Sequence, residues 1–118
     1  MQFKLIPKNE SLSDLVLPLG IWNPLCVETP VRTVTGCSYM TTGAIRYKHQ
    51  GFTGAAWFSS AEVAIMREEL EDFVLSDTCA THHFFADKDN LDNLNLVIDF
   101  LKECSGFLME IEFPLRHP

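Results

Sequence analysis

Adjacent histidines at His82 and His83 are the residues of this 118-residue chain best suited to chemistry, with His49 and His117 as companions elsewhere. Imidazole can exchange protons near neutrality and can ligate metals. Cys79 to Ala86 reads as a strand, with His82 and Phe84 on one face and His83 and Phe85 on the other. Neighbours on a strand point to opposite faces, so the two rings are not expected to share a site. No third ligand stands at a metal-binding spacing, and no metal or other cofactor is expected. A small enzyme using either histidine with a nearby carboxylate is the chemical alternative.

Other reactive groups are weaker candidates. Cys26, Cys37, Cys79 and Cys104 form no CxxC pair and read as reduced thiols. Cys79 and Cys104 lie beside apolar residues, which suits burial better than nucleophilic catalysis. The stretch Asp87-Lys-Asp-Asn-Leu-Asp-Asn93 shares acidic spacing with a calcium loop. It has Asp92 where that loop needs glycine, and Ile98 where it needs the final glutamate. It is read as an acidic turn exposing Asp87, Asp89 and Asp92. Glu110 and Glu112 share a strand face, which simple alternation explains. No nucleotide-binding, GxSxG or HExxH signature is present.

Charge is unevenly distributed. Five basic residues (Lys4, Lys8, Arg32, Arg46, Lys48) and three acidic ones (Glu10, Asp14, Glu28) precede Ser60; four basic and thirteen acidic residues follow. With a net charge of −7, the chain repels a phosphate backbone and attracts basic protein surfaces. No nucleic-acid or membrane partner is expected. The longest apolar run, Leu15 to Trp22, is interrupted by Pro18 and Gly20, and the start has no secretory-signal pattern. The chain therefore reads as cytoplasmic, and its length fits a single domain spanning 1–118.

The clearest element is an amphipathic helix over about residues 60–76. Ser59 and Glu62 form a capping box, and Val63, Met66, Leu70, Phe73 and Val74 make one apolar stripe. Ile65 sits among Glu68, Glu69 and Asp72 on the outer side, combining steering charge with an apolar anchor. These four residues, with Asp87, Asp89 and Asp92, are the candidate partner-binding set.

Strands are expected at Phe3–Ile6, at Val31–Met40, and over Ala44–His49 after a turn at Thr41–Gly43. Ala55–Phe58 is a further strand, and Gly51 and Gly54 mark a turn or bulge before it. Leu15–Trp22 reads as a bulged strand or irregular buried segment, with Asn23-Pro24 and Thr29-Pro30 bracketing a loop. After the helix come Cys79–Ala86, Leu94–Phe100 and Phe107–Phe113, with Gly106 in the last turn. The resulting fold class is α+β: a curved, mainly antiparallel, half-barrel-like sheet of about six to seven strands carrying one helix.

The order of Gly-Phe-Thr-Gly-Ala-Ala-Trp57, the capped helix ending Glu-Glu-Leu-Glu-Asp-Phe73, and the close on Leu-Met-Glu-Ile-Glu-Phe113 resembles small bacterial immunity proteins. These are the cytoplasmic antidotes of polymorphic toxins and contact-dependent growth inhibition systems. The resemblance spans roughly residues 44–115, with Trp57, Glu62, Leu70 and Phe73 as anchors. It implies a non-enzymatic protein that binds and neutralises a cognate toxin C-terminal domain, a basic nuclease being the expected target. A small-molecule-binding or regulatory module using the concave sheet face is the alternative.

Overall fold

The computed structural model describes residues 2–35 and 55–112. Four antiparallel strands form one sheet: β1 (Gln2–Pro7), β2 (Leu15–Pro18), β3 (Ala55–Phe58) and β4 (Phe107–Glu112), in the order β2-β1-β4-β3. β1 and β4 pair along their whole length, setting Leu5 opposite Met109 and Pro7 opposite Phe107. The two ends of the described chain therefore meet in the middle of the sheet. Alternation assigns its faces. Phe3, Leu5, Leu17, Phe58, Phe107 and Met109 are buried. Lys4, Val16, Trp57, Leu108 and Glu110 occupy the other face, none of them fully buried. Lys8 extends its ammonium over the Trp57 ring, 5.7 Å from the centroid.

Helices complete the core. A 3-10 turn at Leu19–Ile21 leads into α1 (Trp22–Glu28), followed by α2 (Arg32–Thr35), α3 (Ser60–Val74), α4 (Asp77–Ala80) and α5 (Lys88–Glu103). The Ser59 side chain accepts from the Glu62 N–H at 3.2 Å, while Glu62 accepts from the Ser59 N–H at 3.0 Å. This satisfies two donors that the first helical turn would otherwise leave open. Ser59→Ala is expected to cost about 0.5–2 kcal/mol, measured by chemical denaturation with an unchanged m-value. Val63, Met66, Leu70 and Phe73 are buried as their spacing predicts, and Val74 is partly buried. Arg67 and Glu71 approach to 3.6 Å one turn apart.

The α+β class and the antiparallel pairing match the sequence expectation, but the strand and helix counts do not. Among the described residues there are four strands and five α-helices. Leu94–Phe100, expected as a strand, lies within α5. Leu94, Val97, Ile98 and Leu101 form a buried helical stripe, whereas Leu96, which completes the apparent alternation, is 48% exposed. Asp87–Asn93 is not a free turn either. Asp87 caps α5, accepting from the Asp89 and Asn90 N–H groups at 3.0 and 3.3 Å, and Lys88 pairs with Asp92 at 3.3 Å.

Cys79–Ala86 is likewise no strand. Ser76 starts α4 by accepting from the Cys79 N–H, and a turn carries the chain from Thr81 to Asp87. The loop expected between Asn23-Pro24 and Thr29-Pro30 is mostly α1. Thr29 donates to the Leu25 carbonyl and Thr35 to that of Cys26, closing the α1–α2 corner with buried hydroxyls. At its start, the Val31–Met40 strand is replaced by α2. The rest of that segment, the Thr41–Gly43 turn, Ala44–His49, Gly51, Gly54 and Phe113 lie outside the described residues, as do Cys37, His49 and His117.

Gly106 joins α5 to β4 at φ = 132°, where a side chain is disfavoured. Its carbonyl accepts from the Lys8 N–H at 2.8 Å. An added Cβ would lie 3.1 Å from the Phe58 carbonyl oxygen and 3.0 Å from the Lys8 side chain. Asn9 completes the corner by donating to the Glu103 carbonyl and accepting from the Ser105 N–H.

Candidate functional site

Packing α1 and α2 beside α3 leaves a cleft of about 660 Å³. One wall is Val27, Glu28, Thr29, Pro30, Arg32 and Thr33; the other is Glu69, Asp72, Phe73, Ser76 and Thr78. Three carboxylates face one guanidinium, so the cleft favours a cationic guest. Buried Val27 and Phe73 are among its lining residues, giving apolar contact beside the charge.

The Thr33 hydroxyl joins the walls. It lies 3.2 and 3.3 Å from the two Glu69 carboxylate oxygens and 3.0 Å from the Pro30 carbonyl. With one proton to donate, it can satisfy only one acceptor at a time. Glu69 therefore keeps acceptor capacity for a guest. Asp72 is exposed one turn further along α3.

Glu28 also belongs to a second cluster. His82 and His83 bring their Nε2 atoms to 3.1 and 3.3 Å from the same Glu28 Oε1. Their rings stack at 4.4 Å and an interplanar angle of 25°. The expectation that the two rings face apart is corrected: a turn, not a strand, carries them, and both reach one carboxylate. His82 is nearly enclosed, its side chain 9% exposed, whereas that of His83 is 73% exposed. The three side chains place their potential ligand atoms within 4.8 Å of one another.

The seven residues selected from the sequence are divided between α3 and the start of α5. Glu69 and Asp72 line the cleft, with Glu68 and Ile65 exposed on the same helix; Ile65 is 49% accessible. Asp87, Asp89 and Asp92 belong to the first turns of α5. There Asp87 is committed to capping and Asp92 to Lys88. Sequence reasoning missed Glu28, Arg32 and Thr33. Glu28 stands out in the sequence only as a rare acid in a basic half.

The thiols are poor nucleophile candidates. Cys79 is a buried residue of α4, and burial pushes its thiol pKa up. Desolvation also raises that of Cys104, partly offset by the backbone contact with Gly106 and the charge of Lys8. Neither environment promotes the thiolate that catalysis needs. Cys79 and Cys104 are free thiols.

No family model, curated protein or solved structure matches the chain. Among the described residues, no helix is long and apolar enough to cross a membrane.

Proposed function

We propose that this chain is a non-enzymatic inhibitor of the immunity-protein type, which captures a basic toxin C-terminal domain in the cytoplasm. The observation that carries this reading is the convergence of Glu28, Glu69 and Asp72 in one cleft, with Ile65 exposed on the same helix that supplies two of those acids. Nucleic-acid-binding surfaces commonly present lysine and arginine to phosphate. The same cationic side chains suit the charge of the cleft, while Ile65 offers an exposed apolar contact one turn before Glu69 on the same helix. Glu68 and Asp72 add long-range attraction before contact. Such binding would block the substrate path without requiring chemistry from the inhibitor.

The test is co-purification with the C-terminal domain of the toxin encoded beside this gene, at low and high salt, with protection of cells from that toxin. The expected result is a stable complex at low salt, slower association at high salt, and rescue of growth. Absence of binding, or binding without protection of the cells, would overturn the inhibitor reading.

A small-molecule module remains a second reading because the cleft is in the size range of ligand pockets. Its lining favours a cationic compound. Saturable binding of a small amine, with no toxin affinity, would select that alternative.

A further inference from the structure

The histidine pair carries information that the acidic cleft does not. His82 follows α4, and its backbone carbonyl accepts from the Ala86 N–H at 2.9 Å. Its Nδ1 accepts from the Phe84 and Phe85 N–H groups at 3.0 and 3.3 Å. An atom that accepts these donors carries no proton, so neutral His82 carries its proton on Nε2. Nε2 then donates to Glu28 Oε1 at 3.1 Å. Both ring nitrogens are committed, and in opposite senses.

This arrangement decides between two uses of the cluster. A divalent metal held by Glu28 and both histidines needs the lone pair of His82 Nε2. A neutral ring would then carry its proton on Nδ1, pointing it at the Phe84 and Phe85 N–H groups. Metal capture and turn capping are therefore incompatible at His82. Capping is the use the hydrogen bonds satisfy.

We propose that His82 is a tautomer-locked latch whose protonation uncaps the turn over residues 83–86 and loosens the adjoining wall of the acidic cleft. Protonation converts Nδ1 from acceptor to donor and removes the lone pair that meets the two N–H groups. It leaves the Nε2–H contact to Glu28 intact, so the ring stays tied to α1 while the turn is released. His83 faces the same Glu28 oxygen, and Arg32, Glu69 and Asp72 are the charged groups of the neighbouring cleft. The buried Cys79 is the titratable group of α4 nearest in sequence.

The turn is coupled to the cleft on two sides. Glu28 is itself a cleft residue, and Phe85, 1% exposed, packs edge-on against the cleft residue Phe73 with ring centroids 5.8 Å apart. Loosening residues 83–86 therefore disturbs an aromatic contact beneath the cleft as well as the environment of Glu28.

Nitrogen NMR of the His82 ring, combined with amide hydrogen exchange, tests the latch on the whole chain. In the neutral ring the expected spectrum has an unprotonated Nδ1 and a protonated Nε2. Acidification should protonate Nδ1 and, after correction for intrinsic rates, reduce protection of the Phe84 and Phe85 amides by about fivefold or more. His82→Asn keeps a side-chain oxygen able to cap the turn but cannot titrate, so its amide protection should not respond to pH. His83→Asn should retain the wild-type response. A neutral Nδ1–H tautomer, unchanged amide protection after ring protonation, or zinc capture by both rings would overturn the proposal. The ring and exchange measurements on the wild-type chain use neither variant nor partner. Failure of the latch is thus distinguishable from failure of the inhibitor reading.

Discussion

Replacing Phe107 with alanine is expected to remove about 3–5 kcal/mol of unfolding free energy, because the ring is both fully enclosed and centrally placed. Phe107 is 1% exposed and begins β4, the strand held between β1 and β3. It stacks on Phe58 at 4.8 Å and meets Phe100 edge-on at 5.8 Å, linking β4 both to β3 and to α5. Truncation removes burial, aromatic contact and filled volume together. Against the 5–15 kcal/mol typical of a domain, such a loss is large enough to populate the unfolded state. Urea unfolding should show a lower midpoint at nearly constant slope, with Phe107→Leu less destabilised. A loss below about 1 kcal/mol would contradict the central packing of this ring.

Periodicity explains why β4 was readable from sequence while α5 was not. Phe107, Met109 and Ile111 alternate with Leu108 and Glu110, and the strand register preserves that alternation. In α5, two periods overlap. Leu94, Leu96, Ile98 and Phe100 imitate a strand, but Leu94, Val97, Ile98 and Leu101 provide the stripe that is buried. Leu96 decides between them only once its exposure is known. Asp87 was the available local signal, because an aspartate before a helical stripe is a favoured N-cap.

Two other departures have local causes. Pro24 suggested a loop, yet it lies in the first turn of α1, where a missing N–H breaks no intrahelical bond. His82 stabilises its turn through a ring nitrogen, a capping chemistry outside the usual Ser, Thr, Asp and Asn set. The capping box of α3 was legible because both partners are close in sequence and of the usual types. The cleft required long-range placement: its Thr33–Glu69 contact joins residues 36 positions apart. Local patterns can identify the acidic face of α3 but cannot bring Glu28 to it.

The strongest functional separation comes from charge reversal on that face. With the cognate toxin, combined Glu68→Lys, Glu69→Lys and Asp72→Lys substitutions should slow association by about 10- to 1,000-fold at low salt. Glu68 and Asp72 are exposed, so replacing them leaves the buried stripe of α3 intact. Glu69 also bridges to Thr33, and Thr33→Val separates loss of that contact from loss of attraction. Association of the parent chain should weaken with ionic strength, while the reversed variant should lose that dependence. Stopped-flow association rates, alongside far-ultraviolet circular dichroism to verify folding, provide the comparison. Asp89→Lys and Asp92→Lys test the other acidic surface; a larger rate loss there would move the interface to the start of α5. Ile65→Ala makes a different prediction: dissociation should accelerate more than association slows, because a short-range apolar contact acts after charge has brought the partners together.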